Sequence, residues 1–231
     1  MKENVYLIVH GFNGNPDDIG YLDEYLREKG LHTRTVLLDG HGSTKKVLHK
    51  SSHTSWLASV EPVIVELAQE YKHVNLLGFS MGGLISICLA SLPGVNKLVL
   101  INTPIYFWNI KIILSDTMTG IFNGNFEKIA YYKKSVGTVS AKSGIDFLRI
   151  LAKAKRRLRY IQNQSLIIQC MNDESVHFKS ANYIKKKVGD NAELRYYNGG
   201  CHQLFTKSVE LRDSACEDIY KFLTKRDVNY T

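Results

Sequence analysis

Cysteine is scarce in this chain of 231 residues, and the little there is follows no pattern. Cys88, Cys170, Cys201 and Cys216 form no C-x-x-C pair and no metal-like grouping with histidine. That spacing argues against zinc and dithiol chemistry and leaves free thiols as the expectation. Long hydrophobic runs are missing too. No stretch approaches the roughly 20 apolar residues of a membrane span, so integral membrane association is not expected. Met1-Lys2-Glu3-Asn4 followed by Val5 to Val9 is too short for the apolar part of a signal peptide and has no small-residue cleavage site. A cytoplasmic protein is the expectation. Internal repeats and low-complexity linkers are also absent, and the length suits one sizeable core in one domain.

The charge is uneven. The formal net charge is +8. Residues 105–162 hold eleven Lys/Arg against three Asp/Glu, and the rest of the chain is balanced at nineteen of each. The basic character therefore belongs to one segment. No nucleic-acid motif or interleaved aromatic platform accompanies it, so a nucleic-acid partner is not expected. The Ser143–Tyr160 stretch carries Lys153, Lys155, Arg156, Arg157 and Arg159. It reads first as a solvated helix face, and second as a weak contact for anionic surfaces or acidic substrates.

What is present is an alternation of apolar runs and amphipathic helices. Val5–Val9, Thr33–Leu38, Val74–Leu77, Lys97–Ile101, Ser165–Cys170 and Ala192–Tyr197 read as strands. Helices are expected from Asp17 to Gly30, Ser55 to Tyr71 (with Pro62 inside), Met81 to Leu92, Ser180 to Val188 and Val209 to Leu223. Ser143 is the expected N-cap of the basic helix. Such alternation implies a mainly parallel sheet covered by helices on both faces, an α/β fold. Residues 105–162 break the rhythm and read as a small cap inserted over one end.

One stretch carries chemistry. Val74-Asn75-Leu76-Leu77-Gly78-Phe79-Ser80-Met81-Gly82-Gly83-Leu84 is a strand, a glycine-flanked serine and a helix start. This is the G-x-S-x-G nucleophile elbow. Gly78 and Gly82 are expected where backbones come too close for a Cβ. Gly83 would serve helix packing. The helix opening at Met81 aims free N–H groups at Ser80.

A serine hydroxyl needs a base, and the base needs an orienting partner. In an open parallel sheet, chemistry gathers at the carboxyl ends of strands. Asp173 follows the strand Ser165–Cys170, and His202 follows Ala192–Tyr197. The order serine, acid, histidine is that of the elbow motif. Glu174 is an alternative acid. Asp39, His10 and His41 also follow strands, and loop architecture is the expectation for both histidines. An oxyanion hole needs two donors; the N–H groups of Met81 and Phe12 are the candidates. Cys201, directly before His202, reads as a packing residue. Ile105, Phe107 and Trp108, with Ile112 and Ile113, either line an acyl pocket or pack the cap.

With these residues in place the chain resembles the α/β-hydrolase superfamily, and more narrowly the small bacterial carboxylesterases related to monoacylglycerol lipases. The resemblance spans nearly the whole chain. It rests on His10-Gly11-Phe12, Gly40-His41-Gly42, Gly78-Phe79-Ser80-Met81-Gly82-Gly83, Thr103-Pro104-Ile105-Tyr106, Asp173-Glu174, Gly200-Cys201-His202 and Glu217 to Leu223. It implies Ser80 as nucleophile, His202 as base, Asp173 as its partner, and Phe12 and Met81 as oxyanion donors. The implied substrate is a small-molecule carboxylic ester, with no metal or organic cofactor; a thioesterase or C–C hydrolase, or a non-catalytic small-molecule binding protein on the same fold, is the alternative reading. The chain departs from the family at Cys201, where glycine is usual, and at Asn172, where histidine is common. Acyl length and oligomeric state have no sequence signal.

Overall fold

The computed structural model describes residues 1–107 and 140–225. Six strands form one parallel sheet: β1 (Lys2–Val9), β2 (Thr33–Val36), β3 (Tyr71–Phe79), β4 (Val95–Ile101), β5 (Ser165–Cys170) and β6 (Ala192–Tyr197). Their order is β2-β1-β3-β4-β5-β6. The chain steps outward from β1 to β2, then crosses back to β3 on the other side. The crevice between β1 and β3 is therefore the point where strand order reverses, the place where parallel sheets build sites.

Side chains alternate along the strands, as a period of two requires. In β1, Val5, Leu7 and Val9 join one apolar layer while Tyr6 and Ile8 join the other. The first layer is covered by α3 (His53–Glu70), α4 (Met81–Leu89), α5 (Ala141–Arg157) and α6 (Lys179–Val188). The second is covered by α1 (Gly20–Glu28), α7 (Leu204–Lys207) and α8 (Val209–Thr224). A further short helix, α2 (Lys45–Lys50), follows β2. Among the described residues no helix is long and apolar enough to cross a membrane.

Several boundaries differ from the sequence reading, each for a local reason. Helix α3 starts earlier than Ser55, because Ser52 caps it: the Ser52 hydroxyl accepts from Ser55 N–H and the Ser55 hydroxyl returns the favour. Pro62 does not end α3. It is exposed and one turn beyond exposed Ala58, whose freed carbonyl water can satisfy. Helix α5 is capped by Ser140, whose Oγ accepts from Ser143 N–H at 3.2 Å, so Ser143 lies inside the first turn. Asp17 falls in a short 3-10 turn, Pro16–Ile19, that leads into α1. Helix α2 had no apolar stripe to announce it; Leu48 is its one buried residue.

The basic helix expected in the cap occupies one of the sheet's covering layers. Phe147, Ile150, Leu151 and Ala154 of α5 are buried in the layer that holds α4. Its outward face carries Lys153, Arg156, Arg157 and, just beyond, Arg159, all exposed. Asp146, on the inner side, is 1% exposed and takes bonds from His53 (2.8 Å), Lys142 (3.1 Å) and Arg149 (3.2 Å). The His53 bond latches α5 to the start of α3, and the other two lie within α5.

Candidate active site

Ser80 stands between β3 and α4 with φ 52° and ψ −119°, a backbone conformation that side chains rarely adopt. The surroundings hold it there. Its N–H donates to Ile101 O at 2.8 Å, and its carbonyl accepts from Gly83 N–H at 3.0 Å. The flanking glycines are required by contact. A Cβ on Gly82 would lie 2.1 Å from Val9 O, and one on Gly78 would lie 2.4 Å from the Gly82 carbonyl. A Cβ on Gly83 would meet Thr103 Oγ1 at 2.0 Å, so α4 packs directly on the segment after β4.

His202 and Asp173 meet Ser80 at the carboxyl ends of the strands. His202 Nε2 is 3.0 Å from Ser80 Oγ, and His202 Nδ1 is 2.8 Å from Asp173 Oδ2. With Nδ1–H donated to the carboxylate, Nε2 is left as the acceptor facing the serine hydroxyl. Asp173 is buried. Its second oxygen accepts from the N–H groups of Ser175 (2.8 Å) and Val176 (2.7 Å). Burial alone would lower the His202 imidazole. The charge and hydrogen bond of Asp173, with the carboxylates of Glu174 and Asp18, outweigh it and raise the value above the ordinary 6.5. Glu174 does not take the place of Asp173. Its carboxylate accepts from the His202 backbone N–H at 2.9 Å.

The loop after β1 passes beside the serine. A Cβ on Gly11 would be 3.2 Å from Ser80 Cβ. Phe12 follows Gly11, and Met81 follows Ser80 to open α4; these two residues carry the candidate N–H groups. Neither takes part in a loop or turn hydrogen bond among the described residues. The Phe12 ring is held by Trp56 (5.6 Å between centroids), His41 (5.9 Å) and Phe147 (5.2 Å). His10 has an architectural place: its Nε2 accepts from Leu38 N–H at 3.1 Å, tying the β1 and β2 loops together. His41 is buried, and desolvation lowers its imidazole to about 4.

The expected pocket residues separate. Ile105 is buried in the core, with its N–H bonded to Ser180 Oγ at 3.2 Å. Phe107 bridges Val176 beside the Asp173 loop and packs edge-on against Phe147. Trp108, Ile112 and Ile113 lie outside the described residues. The sequence reading missed Phe147 and Asn102, neither of which sits in a local motif. Cys201 packs into its own loop, with its Sγ 3.4 Å from Ser208 Oγ.

This sheet order, with a strained serine at its crossing point, defines an α/β-hydrolase architecture. Comparison with known proteins agrees: the family model described as alpha/beta hydrolase fold matches residues 4–119, and the chain belongs to that family. The chain is similar to a carboxylesterase of Bacillus subtilis (strain 168), at 24% identity over 97% of this chain and 94% of that protein. It is also similar to a thermostable monoacylglycerol lipase of Bacillus sp. (strain H-257), at 27% identity over 74% of this chain and 70% of the relative. Among solved structures, one reported with the metagenome-derived lipolytic enzymes LipS and LipT superposes with a TM-score of 0.77 at 20% identity, covering 95% of this chain and 94% of that one. That likeness speaks to the fold.

Proposed function

We propose that this protein is a serine hydrolase that cleaves carboxylic esters through an acyl-enzyme. The observation that carries the proposal is the unbroken chain Ser80 Oγ–His202 Nε2, His202 Nδ1–Asp173 Oδ2, at 3.0 and 2.8 Å. Ser80 Oγ attacks the ester carbonyl while His202 takes its proton. The carbonyl oxygen, now negative, lies between the N–H groups of Phe12 and Met81, at the positive end of α4. His202 then protonates the leaving alcohol. Water, deprotonated by the same imidazole, attacks the acyl-enzyme and releases the acid with Ser80 restored. Asp173 holds the imidazole tautomer and stabilises the imidazolium that forms in each half-reaction. These steps call for no metal or organic cofactor.

The substrate in this reading is a short-to-medium acyl or monoacylglycerol-like ester. Two features support it: the rings of Phe12, Phe107 and Phe147 gathered beside the site, and the kinds of ester lipase and esterase the chain resembles. The chain is read as one hydrolase domain with a cap inserted at about 105–162, the last helix of that segment, α5, packing in a covering layer of the sheet. The basic outer face of α5 is read as solvated, with at most a weak contact to anionic surfaces.

Labelling with a fluorophosphonate, with the adduct located by mass spectrometry, tests the proposal alongside turnover of short and long p-nitrophenyl esters. An adduct on Ser80, with turnover abolished in folded Ser80→Ala, is the expected result. Labelling elsewhere, or full turnover in that variant, would refute it. The ratio of short- to long-chain turnover sizes the acyl pocket.

A further inference from the structure

Asn102, the residue after β4, bonds to the backbone that leads to Asp173 and to His202 itself, and directly follows the residue that supports Ser80. Its neighbour Ile101 accepts the Ser80 N–H at 2.8 Å. Its own Oδ1 accepts from Cys170 N–H at 2.9 Å, three residues before Asp173. Its Nδ2 donates to His202 O at 3.0 Å and, more loosely, to Cys201 O at 3.5 Å. Its backbone N–H donates to Ile168 O at 2.9 Å. The side chain is fully buried. The backbone has φ 45°, in the left-handed region.

The chemistry of these partners selects the residue. Cys170 N–H can only donate, and the His202 carbonyl can only accept. A carboxamide offers one acceptor and one donor at the right separation; a carboxylate or a hydrocarbon does not. Asparagine is also among the few residues that tolerate a left-handed backbone. The His202 loop carries local bonds of its own: Ser208 Oγ accepts from Cys201 N–H at 2.9 Å, and His202 O accepts from Leu204 N–H at 3.0 Å. It opens on Gly199 and Gly200, both with positive φ, and lies partly exposed. Two side chains tie this backbone to the neighbouring strand ends: Glu174 takes the His202 N–H, and Asn102 shares the His202 carbonyl with Leu204 N–H.

We propose that Asn102 is the positioning residue of the triad, its carboxamide bridging the acid-bearing end of β5 to the His202 carbonyl so that the imidazole stays in line between Ser80 and Asp173. The inference rests on the serine-hydrolase reading above. Asn102 touches no reacting atom. It acts by setting where His202 stands, and displacing a catalytic group by about 1 Å can cost on the order of 10²-fold in rate.

Two variants test this. Asn102→Gly removes the bridge and relaxes the backbone, so strain does not obscure the result. Asn102→Asp keeps the shape and the acceptor for Cys170 N–H but turns an oxygen toward the His202 carbonyl. In both, on folded protein, kcat for a p-nitrophenyl ester should fall by about 10- to 100-fold. KM should stay within about twofold, because the acyl and alcohol contacts are untouched. In Asn102→Gly the acidic limb of the rate profile should move to lower pH, toward ordinary imidazole, as the Asp173 contact loosens. The downfield imidazole N–H proton resonance, assigned by its loss in His202→Ala, should broaden or shift in Asn102→Gly. Turnover within about threefold of wild type, with an unmoved limb, would overturn the inference. So would failure of both variants to fold, which would make Asn102 a residue of the fold alone. Absence of a Ser80 adduct in the wild-type protein ends the parent reading as well; normal turnover in folded Asn102→Gly ends only this one.

Discussion

Adding one methyl group at Gly82 should disable both the stability and the chemistry of the elbow. A Cβ there would lie 2.1 Å from Val9 O, 2.7 Å from Val9 C and 2.8 Å from His10 O. All three are backbone atoms of β1 or its end, in the interior of the sheet, so no side-chain rotation relieves the overlap. Overpacking a core costs about 1–3 kcal/mol, and the backbone contacts here put Gly82→Ala at about 3 kcal/mol or more. For a chain of this size that corresponds to a melting midpoint lower by about 6–12 °C. Relief can come only by moving α4 away from β1. That carries Ser80 and Met81 N–H away from Phe12 N–H, and ester turnover should fall by about 10²-fold in the protein that remains folded. Gly20→Ala is the control. Gly20 has helical φ −57° and ψ −40°, and a Cβ there meets nothing within 4 Å. That substitution should stabilise by about 0.4–1 kcal/mol through the unfolded chain, with turnover unchanged. Thermal melts by circular dichroism and p-nitrophenyl ester kinetics on both variants decide the matter. A Gly82→Ala protein melting within about 2 °C of wild type at full activity would refute the packing argument.

Four further outcomes are expected. The raised His202 imidazole must be neutral to act, so turnover should fall as pH drops through a value above 6.5; Asp173→Asn should move that limb lower while reducing kcat by up to about 10⁴-fold, read from pH–rate profiles. The same pair gives stability that is fully present below 6.5 and fades as pH rises through the raised value, visible as a falling melting midpoint that Asp173→Asn removes. Glu174→Gln keeps an acceptor for His202 N–H and should cost only a few-fold in kcat, whereas Glu174→Ala leaves that N–H unpaired and should cost about tenfold or more; equal effects would mean the charge matters and the bond does not. For Asp146, burial alone would raise the carboxyl, but the bonds from His53, Lys142 and Arg149 outweigh it and hold the value at about 2 against an ordinary 3.8. Stability from this group should be present above 3.8 and disappear as pH falls toward about 2, and melts of Asp146→Asn across that window should lack the step.

The inner strands were legible because each contains a short apolar run between turn residues, as a parallel strand buried on both faces requires; the edge strands β2 and β6 are more polar and partly exposed. That Ser80, Asp173 and His202 come together was legible for a related reason: each follows a strand, and strand ends in a parallel sheet share one edge. The glycines at 78, 82 and 83 were legible as a pattern, and the contacts at 2.0–2.4 Å supply its cause. Local signals failed where a boundary depended on a single side-chain bond, as with Ser140 rather than Ser143 at the start of α5.

The amino-acid order by itself determined the alternation of strands and helices, the elbow, and the sequence of serine, acid and histidine, because these are set by neighbours within one turn or one strand. Tertiary structure alone decided the rest. It placed α5 in a covering layer, since a stripe of Phe147, Ile150 and Ala154 does not say which surface it meets. It gave Glu174 the backbone of His202 and Asp173 its ring, a choice between adjacent carboxylates that depends on loop geometry. It made Asn102 a bridge between residues 68 and 100 positions away, because hydrogen bonds at that separation exist only once the sheet has brought three strand ends together.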